Sequence, residues 1–178
     1  LMVGMISLGI GLEDEVIVPS FSHSADANSI SAVGAKPIFS DVDRSTLCLS
    51  VSQIDRLVTK RTKAVLYVCA YGSPGELYVV ESYCKEIGIH LINDSAPALF
   101  GMYRDKPIPA YGIFSVLSFF ADKTITTGEG GMLLTDDERI IDESNILKND
   151  GRKERGHNLI ERQGYNLRIT EFQSAIGL

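Results

Sequence analysis

Two residues in this chain have the types and settings for carbonyl–amine chemistry. Lys123 closes the run Phe114-Ser115-Val116-Leu117-Ser118-Phe119-Phe120-Ala121-Asp122-Lys123. The turn Thr124-Ile125-Thr126-Thr127-Gly128-Glu129-Gly130-Gly131 follows it, and then a second apolar run, Met132-Leu133-Leu134. A lysine at the mouth of a buried strand is placed to be desolvated. Desolvation favours the neutral amine, and a neutral amine attacks a carbonyl to make a Schiff base. The other reading is a solvated lysine in a hairpin turn. Asp94 ends the apolar run Leu91-Ile92-Asn93 and is followed by the small residues Ser95 and Ala96, which leave room for a ring. Its plainer reading is a helix N-cap.

A lysine and a carboxylate converging on one crevice are the two halves of a pyridoxal phosphate site. The lysine holds the aldehyde, and the carboxylate keeps the ring nitrogen protonated, so that the ring is the better electron sink. Ser118, upstream of the lysine, offers a hydroxyl to a phosphate oxygen, unless it is a strand serine facing a neighbour. Thr124, Thr126 and Thr127 add hydroxyls. Gly128, Gly130 and Gly131 permit positive φ and close approach of the backbone to a ligand. His23, after Pro19-Ser20-Phe21-Ser22, is placed to lie flat on a cofactor ring, or else to cap a helix or face solvent. Ser-His-Asp chemistry has little support. His23, His90 and His157 sit in unrelated contexts, and no serine sits in a nucleophile elbow. Gly9-Ile10-Gly11 precedes the first strand instead of following it, so it is not a dinucleotide fingerprint.

The elements that must position these residues alternate. Strands are expected at Val16-Ile17-Val18, Pro37-Ile38-Phe39, 64–68, 89–93, 113–119 and 131–134, and helices at 26–33, 50–58, 76–87, 136–147 and from Arg168 onward. Ser50 and Ser52 are candidate caps. Gly34 and Gly88 stop their helices. This alternation predicts an α/β fold, a three-layer α/β/α sandwich with a mostly parallel sheet. Ligands of such sheets bind beyond the carboxyl ends of the strands. Ser22, His23, Asp94 and Lys123 all fall at that edge.

Composition narrows the class. The chain has 178 residues, 44% hydrophobic and 22% charged, which suits one globular core. A net charge of −6 without a basic run argues against nucleic acid or an anionic membrane as the partner. The three cysteines, Cys48, Cys69 and Cys84, lack metal spacing and are expected to be free thiols in a reducing, cytoplasmic setting. Leu1-Met2-Val3-Gly4-Met5-Ile6-Ser7-Leu8 reads as the middle of a helix, and Gln173-Ser174-Ala175-Ile176-Gly177-Leu178 as another cut short. A piece of a longer protein is therefore expected.

The lysine segment from Gly112 to Gly131 resembles that of the DegT/DnrJ/EryC1/StrS aminotransferases, in wording most similar to perosamine-synthase-like members. Asp14 to Phe21, Gly34 to Asp43, Tyr71-Gly72-Ser73-Pro74 and Gly164 to Leu178 match further family segments, so the resemblance covers the chain. It implies the large domain of fold-type I pyridoxal phosphate enzymes, with residues 1–178 a partial domain lacking an N-terminal phosphate loop and a C-terminal small domain. It implies Lys123 as the Schiff-base lysine, Asp94 as partner of the pyridine nitrogen, Ser118 on the phosphate and His23 stacked on the ring. Asn166 would reach the cofactor phosphate of the other subunit in a homodimer. The implied reaction moves an amino group from glutamate to a keto group of a nucleotide-linked deoxysugar. The alternatives are a sugar dehydratase of the same family, which has histidine in place of the lysine, and a binding protein on the same scaffold. Pro97 stands where the family has Gln, His or Glu, Asn93 where it often has Glu, Cys69 at a common His position and Asp26 in place of a small hydroxyl. The loop from Lys148 through His157 is read as the substrate mouth or as a solvated charged loop.

Overall fold

The computed structural model describes residues 1–154, 156 and 158–178. Six strands form one sheet: β1 (Glu15–Pro19), β2 (Lys36–Ser40), β3 (Thr62–Val68), β4 (His90–Asp94), β7 (Phe114–Ser118) and β8 (Gly131–Leu134), in the order β2-β1-β3-β4-β7-β8. All neighbours are parallel except β7 and β8, which are antiparallel. The two-residue strands β5 (Met102–Tyr103) and β6 (Lys106–Pro107) form a separate hairpin.

Strand alternation sorts the buried residues into two cores. Val16, Val18, Ala64, Leu66, Val68, Ile92 and Phe114 face one side. They are covered by Met5 of α1 (Met2–Ser7), Ile30 of α2 (Ser24–Ala32) and Ile140 of α5 (Glu138–Leu147). Ile17, Val65, Tyr67 and Leu91 face the other. There they meet Ile54 of α3 (Val51–Asp55) and Leu77, Val80 and Cys84 of α4 (Leu77–Glu86). Helices on both faces of a mostly parallel sheet make the three-layer α/β/α sandwich that the alternation predicts. A last helix, α6 (Glu171–Gly177), carries no buried residue.

Most boundaries fall within a residue or two of expectation. Helices α3 and α6 are the exceptions: α3 ends at Asp55, not near Val58, and α6 begins at Glu171, not Arg168. At the start of α3, the Gln53 side chain accepts from the Ser50 N–H at 3.0 Å. Positive-φ glycines, Gly34 at 85° and Gly88 at 72°, follow α2 and α4. The three cysteines are buried and free.

Chain order places the crevice. From β1 the chain runs outward to β2 and then returns to β3 on the other side of β1, so the connections diverge there. In sheets of this kind such a divergence leaves an opening beyond the strand ends. The turn after β3 is held open by Tyr67, a fully buried phenol that donates to the Pro74 carbonyl at 2.9 Å and accepts from the Glu76 N–H at 3.1 Å. Tyr67→Phe leaves both backbone groups without that partner. It is expected to lower stability by about 1–3 kcal/mol in denaturant unfolding of the full-length protein.

Candidate active site

The carboxyl ends of β1, β3, β4 and β7 surround a cleft of ≈ 790 Å³. Ser22 and His23 line it from the turn after β1, Tyr71 from the turn after β3, Asp94 and Pro97 from the end of β4, and Ser118 and Lys123 from the end of β7. Four residues singled out from the sequence, Lys123, Asp94, Ser118 and His23, therefore converge in one cavity. Asn166 does not join them. It is exposed, pairs with Asn149 in an isolated bridge, and lines a separate concavity with Asn149, Asp150, Arg152 and Arg168. The Lys148 loop borders that second concavity too, and Arg168 ties it down by an ion pair to Asp150 at 2.8 Å. His157 lies outside the described residues.

Asp94 is 8% exposed and sits on the same face of β4 as Ile92. Its Oδ1 accepts from the Ala96 N–H at 2.9 Å, so the carboxylate closes a tight turn, with no helix there for it to cap. Burial pushes its carboxyl above the usual carboxylate range. The Ala96 N–H, the neighbouring Asp26 carboxyl and the charge of Lys123 pull it back. The influence of Lys123 on Asp94 places the amine and the acid in one electrostatic unit.

Lys123 lies in the connection between the antiparallel strands β7 and β8, so it is indeed in a hairpin loop. Its side chain is 28% exposed and its Nζ pairs with Asp122 Oδ1 at 3.3 Å. The expected desolvation is thus incomplete: the amine borders both cleft and solvent, and an ion pair with an acid 67% exposed to water is worth little. The loop itself is well ordered by hydrogen bonds. The Thr127 N–H and the Thr126 hydroxyl both donate to the Phe119 carbonyl, at 3.0 Å each, and the Thr127 hydroxyl donates to the Glu129 carbonyl at 2.7 Å. These hydroxyls build the turn; Thr126 and Thr127 do not line the cleft. Of its glycines only Gly128 has positive φ, 81°. Gly130 is needed for space, because a Cβ there would sit 2.6 Å from the Thr127 hydroxyl. Ser118 Oγ accepts from the Phe120 N–H at 3.3 Å, which leaves its proton free to donate elsewhere.

His23 is exposed and its Nδ1 accepts from the Ala25 N–H at 3.1 Å, capping α2. The capping reading is therefore correct in this structure, while the ring still forms part of the cleft wall. Cys69 and Asn93, two departures from the family pattern, face the opposite core. The thiol donates to Asn93 Oδ1 at 3.5 Å and Asn93 Nδ2 donates to the Ile108 carbonyl at 2.8 Å. Asp26 and Asp122 are polar cleft residues that reading the sequence for catalytic groups passed over. Asp26 stands out in the sequence as an acid in place of a small hydroxyl, without a sign that it is buried.

A family profile for the DegT/DnrJ/EryC1/StrS aminotransferases matches residues 1–178. GDP-perosamine synthase of Escherichia coli O157:H7 is 39% identical over 181 residues, covering 100% of this chain and 49% of that protein. The crystal structure of the aminotransferase TlmJ from Streptoalloteichus hindustanus superposes with a TM-score of 0.94 at 33% identity, over 99% of this chain and 48% of that one. That of NtdA from Bacillus subtilis, with the cofactor PMP bound, superposes at 0.90 and 27% identity, over 99% and 40%. The chain spans about half the length of the curated relative it matches.

Capping and stacking by His23 are separable. His23→Ala is expected to cost about 0.5–1 kcal/mol in thermal unfolding, whereas His23→Ser keeps an acceptor for the Ala25 N–H and restores that stability. If the imidazole also stacks on a cofactor, His23→Ser restores stability without restoring cofactor affinity.

Proposed function

Because the chain belongs to the DegT/DnrJ/EryC1/StrS aminotransferase family, we propose that the whole protein is a pyridoxal phosphate-dependent aminotransferase. It moves an amino group from glutamate to a keto group of a nucleotide-linked deoxysugar, for polysaccharide or natural-product sugar biosynthesis in the cytoplasm. Residues 1–178 are read as part of its cofactor-binding large domain. The observation that carries the proposal is the arrival of Asp94 and Lys123, from two different strands, in one cleft at the carboxyl edge of the sheet.

The residues present fit the cofactor. A buried acid suits a ring N–H, a half-exposed amine suits an aldehyde that must also meet substrate, and a serine with a free proton suits a phosphate oxygen. Pyridoxal phosphate, when bound, supplies the electron sink that lets a proton leave the carbon bearing the transferred nitrogen. Asp94 would accept the hydrogen bond of the ring N–H and hold the proton there by its negative charge. Lys123 would anchor the cofactor through Nζ, and its amine would serve as the base that moves a proton at the substrate carbon. Ser118 Oγ donates to the phosphate. His23 closes one wall against the ring. Asn166, which lies outside this cleft, reaches across a homodimer to the phosphate in the partner's cleft, so each site is shared. The presence of lysine, not histidine, at position 123 favours amino transfer over the dehydratase reading.

Reconstitution of the full-length protein with pyridoxal phosphate tests this. The visible absorption of a lysine-linked cofactor is expected, along with its conversion to the amine form by glutamate. Lys123→Ala should abolish the absorption and slow the glutamate half-reaction by about 100-fold or more. An absorption that survives Lys123→Ala rejects the assignment of the lysine. A folded, full-length protein that binds the cofactor but never converts it favours the binding-protein reading.

A further inference from the structure

Asp26 has no role in the chemistry above, yet it is an almost fully buried acid in the same cleft as Asp94. It is 1% exposed, in the first turn of α2. The Ser22 hydroxyl donates to its Oδ2. Its Oδ1 is buried and no donor reaches it. Its carboxyl and that of Asp94 line the same cleft, and each influences the ionisation of the other. Two carboxylates in contact in a dry site do not both ionise near neutrality. A proton kept on Asp26 removes both difficulties, since it converts an orphaned acceptor into a donor for the neighbouring anion. Burial first, and then the charge of Asp94, push the Asp26 carboxyl up to about 7. The same hydrogen bond acts on Asp94 in the opposite direction and favours its ionised form.

We propose that Asp26 is a positioning residue that stays neutral and donates a hydrogen bond to Asp94, so that the pair offers one negative charge to a ring nitrogen. This rests on the reading of Asp94 as the partner of that nitrogen. A small hydroxyl, the residue the family resemblance puts at this position, donates a hydrogen bond but carries no titrating proton. Asp26 does both, which makes this site pH-sensitive in a way a serine would not. The charged and titratable groups around the pair are His23 on the turn before α2, Tyr71 after β3, and Lys123 and Asp122 on the β7–β8 loop, while the Cys69 thiol on the other face of the sheet feels the charge of Asp94. The Leu1 nitrogen also faces it and is an amine only if the chain starts there.

The test uses the full-length protein stripped of cofactor. The folded state holds a proton that the unfolded chain releases. That contribution is fully present below the ordinary carboxylate range and is lost as pH rises through about 7. The wild-type melting temperature is therefore expected to fall between about pH 5 and about pH 9, and Asp26→Asn, a donor without the titrating proton, should flatten the fall. Asp26→Asn should bind pyridoxal phosphate within about threefold of wild type, and Asp26→Ala about tenfold more weakly. Identical pH profiles for wild type and Asp26→Asn would overturn the shared proton. Equal affinities for the Asn and Ala variants would overturn the positioning role. Should Asp26→Ala not fold, the infrared carbonyl stretch of a protonated carboxyl decides: it is expected in the wild-type apoprotein and absent from Asp26→Asn, and its absence from wild type overturns the proposal. A profile that flattens as expected, while neither Asp26→Ala nor Asp94→Asn changes cofactor affinity, instead rejects the reading of Asp94 and the proposal with it.

Discussion

The cost of taking the carboxyl of Asp94 out of water organises the cleft. Strand β4 delivers that group: Leu91, Ile92 and Asn93 are all buried, and period-2 alternation turns Asp94 to the side of Ile92. An isolated buried carboxylate is expensive, and such groups are tolerated only with partners. Asp94 has three kinds of partner: the backbone N–H of Ala96, the positive charge of Lys123 and the carboxyl of Asp26. The first fixes its orientation, the second supplies the opposite charge, and the third caps how much negative charge the site accumulates. A cationic ring nitrogen would supply the remaining compensation, and the exposed side of the cleft is where it would arrive.

Sheet topology brings these groups together. Five parallel strands end at the same edge, so loops far apart in sequence share one rim. The antiparallel pair at the edge of the large sheet has a different task. Because β7 and β8 run in opposite directions, their connection stays at that rim instead of crossing the sheet, and Lys123 rides on it. Hydrogen bonds from Thr126 and Thr127 to the Phe119 carbonyl, and from Gln173 of α6 to the Glu129 carbonyl at 2.8 Å, hold this connection in place. Hydroxyls that looked like phosphate ligands in the sequence are instead the framework that presents the lysine.

Elements with a strong period were readable from the chain: β3 and β4 as unbroken apolar runs, and α4 and α5 as amphipathic runs ended by a glycine or preceded by an Asp cap. The β5–β6 hairpin was not, because two residues per strand give no period, and its turn residues Arg104 and Asp105 adopt positive φ of 48° and 60° without a glycine to mark them. Within the cleft, Asp94, Ser118 and Lys123 could be placed because each directly ends or follows a strand. Asn166 could not be brought to the same cleft by one chain, since it lies in another concavity. Asp26 was hidden for a different reason. An acid in the first helical turn is what the helix dipole prefers anyway, and only the approach of β4 shows that this one is buried against a second acid.

The departures from the family pattern divide by the face of the sheet on which they lie. Cys69 and Asn93 stand where a histidine and a glutamate are common, and they meet each other in the core on the far side of the sheet from Asp94. An imidazole and a carboxylate buried in contact form a pair whose members each need the other. A thiol and an amide form a neutral pair with no charge to compensate. Burial pushes the Cys69 thiol up, so it stays uncharged, and the amide still anchors the chain at Ile108. Changing both together avoids leaving either charge alone, so these two substitutions do not count against a working cleft. Pro97 and Asp26, by contrast, line the cleft itself. Pro97 removes a backbone donor where the neighbouring Ala96 N–H is already committed to Asp94. The cleft thus gains an acid and lacks a donor relative to the family pattern.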